Sequence, residues 1–328
     1  MILRYLKLSF SIEPEDQIFL PSYKGSALRG GFGTVFKKAI CVLKNERCSS
    51  CILKNECAYS YIFETAPPRG TELIAMEKYE TIPKPFIIEP PKEEKREYNK
   101  NEKISFNLLL IGKAINYLPY FIIAFELLGR IGLGKGKGKF RLIEICSKQS
   151  KIYSEENKIL KLIEPDTVEI PENLINENQV NEEGDIVLNF NTPTRIRYQR
   201  DLVVILEFHI LIRNILRRLW LLSFFHGEMV EPKWDHRKII NAAKQVEIKK
   251  NLLRWYDWER YSGRQKTRMK MGGLLGKIVY SGRISQFLPL LRAGAVFHVG
   301  KGTSFGLGEY TILDNMARKA SIFGEADL

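Results

Sequence analysis

The chain has 328 residues, enough for two ordinary domains with proper cores, and carries 51 Lys and Arg against 38 Asp and Glu. The formal charge of +13 points to a polyanionic partner. The most apolar runs, residues 114–125 and 202–226, are interrupted by Pro119 and by Glu207, Arg213, Arg217 and Arg218, which speaks against a bilayer span.

The N-terminus alternates Leu6, Leu8, Phe10 and Ile12 with Lys7, Ser9 and Ser11, the pattern of a half-buried strand and not of a signal peptide. A cytoplasmic location is therefore expected. A glycine-bearing turn, YKGSALRGGFG, follows and leads into a helix through residues 35–40. Next comes CVLKNERCSSCILKNEC, in which Cys41, Cys48, Cys51 and Cys57 fall within 17 residues although the chain has only five cysteines. Inside a cell such a cluster favours metal over disulfides. Four thiolates suit structural zinc, with an iron–sulfur cluster as the alternative and unliganded cysteines as the third reading. An extended segment at 104–111 and a helix at 114–128 precede the loop GRIGLGKGKGKFRLIEI.

Residues 147–186 hold four bases and ten acids, and this Asn- and Pro-bearing stretch reads as a connection. Beyond it come a strand at 186–190, a helical run at about 201–226, strands within 252–282 and an apolar segment at 284–293. Residues 193–303 carry 22 bases against eight acids, the electrostatic footprint of a nucleic-acid binder. Within them Arg264, Lys266, Arg268 and Lys270 recur at every second position, so an extended segment would project all four from one face to follow a phosphate backbone. Trp255, Tyr256, Trp258 and Tyr261 lie upstream as base-stacking candidates. A charged edge strand with core aromatics is the plainer reading.

Close to the end of the chain, residues 298–313 read HVGKGTSFGLGEYTIL. Gly302 directly after Lys301 removes the Ser or Thr that a P-loop needs, and the loop leads into a strand rather than a helix, so neither nucleotide fingerprint fits. Gly300, Gly302, Gly306 and Gly308 would let backbone approach phosphates, with Lys301, Thr303 and Ser304 as donors; equally, the glycines serve strand–helix packing. The Gly-Leu-Gly triplets at 132–134 and 306–308 lie 174 residues apart, each just before an aromatic-led strand. Both halves then fit a β-α-β-β-α-β order, which predicts an α+β protein of two tandem ferredoxin-like domains. The expected boundaries are 1–146 for the first domain with a four-Cys insertion at 41–57, 147–185 for the acidic connector, 186–315 for the second domain and 316–328 for a tail.

Five stretches together, PSYKGSALRGGFG, the cysteine cluster with CAYSYIFET, PYFIIAFELLGRIGLGKGKGKF, RYSGRQKTRMKMGGLLG and HVGKGTSFGLGEY, resemble the CRISPR-associated precursor-RNA-processing endoribonucleases of the Cas-six type. These belong to the RAMP superfamily, and the resemblance covers nearly the whole chain outside 147–185. It implies RRM-like (RAMP) domains that bind CRISPR repeat RNA and cut it within each repeat. No catalytic metal is implied: the ribose 2′-OH attacks the phosphate and leaves a 2′,3′-cyclic phosphate, which calls for a base, an acid and a cation.

Many members of the family use a histidine near the first helix, but this chain has none before His209. His209 reads as a core residue, His226 as a helix C-terminal residue favoured by the dipole and His236 as a surface residue. His298, with Lys301 three residues on, is the expected catalytic histidine, and Tyr23 and Lys24 are candidate acids or charge stabilisers. Arg29 is expected to contact RNA from the first domain. The missing histidine keeps a second reading open, a non-catalytic RAMP subunit that holds guide RNA in a CRISPR effector complex. A metal-stabilised RNA-binding protein outside CRISPR is a third. No membrane partner is expected, and homodimerisation is left open.

Overall fold

The computed structural model describes residues 1–44, 46–65, 82–175, 183–228, 232–262 and 267–313. Strand β1 (Ile2–Pro14) opens the chain. Its alternation puts Leu6, Leu8, Phe10 and Ile12 on one face, each at most 3% exposed. A two-residue strand, β2 (Ile18–Phe19), later pairs with β4 (Glu97–Tyr98).

Helix α1 (Gly25–Ile40) starts at the glycine-bearing turn itself, ten residues before the expected 35–40. Its glycines are tolerated in a helix because they allow close packing. A Cβ on Gly31 would touch Leu128, and one on Gly33 would lie 2.9 Å from the Phe63 ring. Strands β3 (Phe86–Glu89) and β5 (Ile104–Ile111), helix α2 (Leu118–Ile131) and strand β6 (Phe140–Ser147) complete the first domain's ferredoxin-like order. The sheet runs β3-β5-β1-β6 with antiparallel neighbours throughout. Phe32 and Phe36 of α1 pack against Phe121, with Phe32 also stacked on Phe125, so the two helices are fixed to one sheet face by aromatic contacts.

Pro119 does not break the apolar run as expected. It sits in the first turn of α2, where its missing N–H has no helical partner to lose. Residues 112–131 are thus one helical run, long and apolar enough to cross a membrane by length and composition alone. Its inner residues Phe121, Ala124, Phe125 and Leu128 are buried in the first core.

The expected connector is also more structured than its charge suggests. Strand β7 (Ser150–Ser154) extends the first sheet beyond β6, and β8 (Asp166–Glu169) pairs with residues 2–5 of β1. Its acids find sheet partners in cations: Lys148 meets Asp166 at 2.7 Å.

The second domain is built from β9 (Gly184–Thr194), α3 (Phe208–His226), α4 (His236–Ala243), β12 (Glu247–Tyr256), β15 (Gly273–Gly282), α5 (Leu288–Phe297) and β16 (Tyr310–Leu313). Its sheet order, β12-β15-β9-β16, repeats that of the first. Helix α3 starts at Phe208 and not at 201, because β11 (Asp201–Leu202) folds back on β10 (Arg197–Tyr198). Between β12 and β15 a second hairpin, β13 (Glu259–Ser262) with β14 (Thr267–Lys270), projects from the sheet.

The two domains share a core. In β5, Phe106, Leu108 and Leu110 face α1 and α2, while Leu109 and Ile111 on the opposite face join Leu3 and Ile87 against the second domain's Leu211, Leu291 and Phe297. Tyr5 meets Phe297 edge-on at 5.6 Å. This explains why β5 ends in an unbroken apolar run, residues 108–111: there it is buried on both faces.

Candidate nucleic-acid interface

The terminal glycine loop lies where α1, β3 and the projecting hairpin meet. Gly300, Gly302, Gly306 and Gly308 all have φ between +75° and +84°, which only glycine adopts without strain. They face protein rather than open space. A Cβ on Gly306 would lie 2.5 Å from Cδ of Pro90, one on Gly300 2.5 Å from the Arg195 carbonyl, and one on Gly308 would strike the Val299 carbonyl. Thr303 and Ser304 are buried, and Thr192 Oγ1 donates to the Gly306 carbonyl at 2.8 Å. Of the two readings of these glycines, the structure supports packing. The expected phosphate contacts of Gly300, Gly302, Thr303, Ser304, Gly306 and Gly308 stay a proposal beside that packing role.

His298, the expected catalytic histidine, lies inside the protein. Its ring is fully buried, with Nδ1 3.1 Å from the Leu307 carbonyl and Nε2 3.3 Å from Glu89 Oε1. Both ring nitrogens thus face protein acceptors inside the core. Glu89 also accepts from Lys7 at 2.9 Å and from Asn107 at 3.0 Å. Burial alone would raise the Glu89 carboxyl, but the hydrogen bonds and charges of His298 and Lys7 outweigh it and hold it at about 2.

What the loop does present is Phe305. The Arg29 guanidinium lies 4.9 Å and the Arg260 guanidinium 4.4 Å from its ring centroid, bringing together cations from α1 and β13. Arg29 also lies 5.0 Å from the centre of Phe63. Tyr23 donates its hydroxyl to the Phe305 carbonyl at 2.9 Å, and its ring packs on Trp258 at 4.6 Å. Burial, with Glu309 adding to it, pushes the Tyr23 hydroxyl well above its usual range, so it acts only as a proton donor. Lys24 is buried and bonds the Glu93 carbonyl; desolvation lowers its ammonium from the usual value. Desolvation also lowers Arg260.

Further cations line the rim. Arg195 Nη1 donates to the Lys270 and Gly272 carbonyls, each at 3.2 Å, and its own carbonyl accepts from the Lys301 backbone N–H at 2.8 Å. Lys270 and Lys301 are exposed beside it. Arg268 and Lys270 share β14, two residues apart, whereas Arg264 and Lys266 lie outside the described residues.

The first domain's counterpart loop behaves differently. Gly132, Gly134 and Gly136 again have positive φ, but a Cβ on Gly136 would meet nothing within 4 Å, and Lys135, Lys137 and Lys139 are exposed around it. In the sequence this loop marks only the repeat. Its alternating lysines were the available signal for an open cationic tip. Arg195 and Phe305 carried no such signal, because their roles depend on contacts between distant segments.

The other histidines lie away from this face. His226 is buried, with Nε2 2.7 Å from the Pro83 carbonyl and Nδ1 3.1 Å from the Tyr61 hydroxyl. Desolvation lowers it to about 4, so it is neutral and not the dipole-stabilised cation expected of a helix end. His209 is half-buried against Tyr198 and Glu207, and His236 is exposed on α4.

The four clustered cysteines are half-buried free thiols. Among the described residues, no three His, Cys, Asp or Glu side chains form a ready-made ligand set.

Comparison with known proteins agrees with this architecture. Residues 3–166 match a family model described as an N-terminal domain, and residues 188–310 match that of the CRISPR-associated endoribonuclease Cas6. An uncharacterized protein of Archaeoglobus fulgidus is 24% identical over 303 residues, covering 90% of this chain and 93% of its own. Among solved structures, a Cas6 product complex is 15% identical with a TM-score of 0.53, covering 94% of this chain and 100% of that one. Thermus thermophilus Cas6 is 14% identical with a TM-score of 0.51, at 95% and 99% coverage. A partial Cas6-RT-Cas1--Cas2 complex is 13% identical with a TM-score of 0.55, covering 95% of this chain and 46% of that one.

Proposed function

We propose that this chain, whose residues 188–310 match the Cas6 family model, is a Cas6-type protein of the RAMP superfamily that binds CRISPR repeat RNA and cleaves precursor transcripts within the repeats. The observation that carries this reading is the convergence of Arg29 and Arg260 on Phe305, beside Tyr23 and Trp258. Cations from both domains and from the hairpin thereby face one seam. RNA phosphates would follow the rim of Arg195, Lys270 and Lys301, with the first-domain loop of Lys135, Lys137 and Lys139 as a further contact.

Cleavage by attack of the ribose 2′-OH asks for in-line positioning and for charge stabilisation of the phosphorane. Arg29 and Arg260, held flat by Phe305, would supply the second. Tyr23 is the proton donor nearest to them, held by the Phe305 carbonyl. No histidine side chain reaches this cluster among the described contacts, so positioning and electrostatics would carry most of the rate.

A second reading has its own observation. Burial of His298 leaves its ring unable to act on RNA, which favours a subunit that holds guide RNA within a CRISPR effector complex without cutting it. A denaturing gel of repeat RNA with the purified protein in excess chelator, alongside single 2′-deoxy RNAs, separates the two. One cut, abolished by one deoxy substitution, supports the nuclease; tight binding with intact RNA supports the holding subunit.

A further inference from the structure

The loop between α1 and the π-helical turn Ser60–Glu64 has no apolar interior of its own. Over residues 41–57 its hydrogen bonds are those of successive short turns: Glu46 N–H to Leu43, Ser50 to Arg47, Lys54 to Cys51 and Cys57 to Leu53. Val42 and Ile52 are 77% and 87% exposed, so its hydrophobic residues do not hold it together. The side chains that turn inward are instead Cys41, Cys48, Cys51 and Cys57, joined only by Leu43 and Lys54; every other described residue of the loop is exposed. A 17-residue loop of this kind needs some other closure.

We propose that Cys41, Cys48, Cys51 and Cys57 bind one zinc ion as four thiolates and that this centre closes the loop. Cys48 and Cys57 already pack against the first domain's core. Cys41 Sγ donates to the Leu43 carbonyl at 3.4 Å, so Cys41 gives up that bond on joining the site. The donor set is soft, anionic and tetrahedral in number, which suits zinc with no open position. In the sequence Lys37, Lys38, Lys44, Arg47 and Lys54 flank the cysteines against Glu46 and Glu56, and such cations would offset the double negative charge of a zinc tetrathiolate.

The site also has a structural consequence. Cys57 is three residues from the π-helical turn, which sends Phe63 under Arg29 and Tyr61 to His226 in the second domain. Zinc would therefore fix the segment that supports both the cation cluster and the domain junction. This inference does not depend on whether the protein cuts RNA.

The test is metal analysis of the full-length reduced protein, with cobalt substitution as a second measurement that needs no variant. About one zinc per chain is expected, with strong thiolate-to-cobalt charge-transfer absorption on substitution. In Cys48→Ser/Cys51→Ser the zinc content should fall at least fivefold. Four freely titrating thiols with no uptake of zinc or cobalt would overturn the proposal. So would disulfides that hold the loop in the native protein, and iron with broad visible absorption would overturn the zinc assignment.

Discussion

His298 Nε2 lies 3.3 Å from Glu89 Oε1, so the histidine nearest the terminal loop ties the second domain to strand β3 of the first. Its backbone is strained to do so, with φ +58° and ψ 170°, a region that is otherwise almost restricted to glycine. His298→Ala should therefore cost about 1–3 kcal/mol of stability by leaving Glu89 and the Leu307 carbonyl short of a donor. RNA cleavage per folded molecule should change less than threefold. Thermal melts beside single-turnover cleavage read both, and lost cleavage at an unchanged melting temperature would return His298 to the active site.

Acid should loosen the protein in two stages. His226 is held neutral at about 4, below its usual 6.5, so its contribution is complete above pH 6.5 and is lost as pH falls towards 4. That loss is on the order of 3 kcal/mol. Glu89, held at about 2, contributes above its usual 4.5 and is lost between there and 2. Denaturant melts at pH 7, 5.5 and 4.5 should show the first stage in the native protein, and His226→Gln should flatten it. An equally steep loss in that variant would assign the first stage to other groups.

Arg29 and Arg260 should be separable from the fold by their effect on salt dependence. Each guanidinium removed from a phosphate lowers the slope of log affinity against log salt by about 0.7 for single-stranded RNA. Arg260→Ala should show this with repeat RNA, and Arg260→Lys should restore it only in part, since an ammonium lacks the planar stacking on Phe305. A slope equal to the native one would remove Arg260 from the interface.

Two glycines five residues apart on α1 should respond oppositely. A Cβ on Gly25 would strike the Phe305 carbonyl, so Gly25→Ala should cost roughly 1–3 kcal/mol and weaken RNA binding by displacing the loop. A Cβ on Gly30 meets nothing within 4 Å, so Gly30→Ala should stabilise the helix by about 0.5–1 kcal/mol. If Gly30→Ala raises the melting temperature but weakens RNA binding, RNA passes close to that face of α1. Melting curves and binding isotherms of the two variants decide this.

Much of the fold was legible because strands and helices write their burial into local periodicity. Leu6, Leu8, Phe10 and Ile12 announced β1, and the paired Gly-Leu-Gly triplets announced two like domains. The site was less legible. Glycine at positive φ looks the same in sequence whether it makes room for a phosphate or for the Val299 carbonyl, and only the second is found at Gly308. Whether His298 is buried depends on Glu89, more than two hundred residues earlier, and no local pattern records that distance. The acidic stretch misled for a related reason: charge hid two strands that β1 and β6 recruit.

That recruitment constrains the order in which the protein can be completed. Strand β1 is made first, yet the edge of its residues 2–5 that faces away from β5 is paired only when Asp166–Glu169 has been synthesised. Until then the growing chain carries an unpaired sheet edge beside Leu3 and Tyr5, which also pack into the core shared with the second domain. Translation therefore leaves this edge open for the longest time at the very start of the chain. Any shortened version that stops before β8 inherits the opening permanently, as a site for self-association.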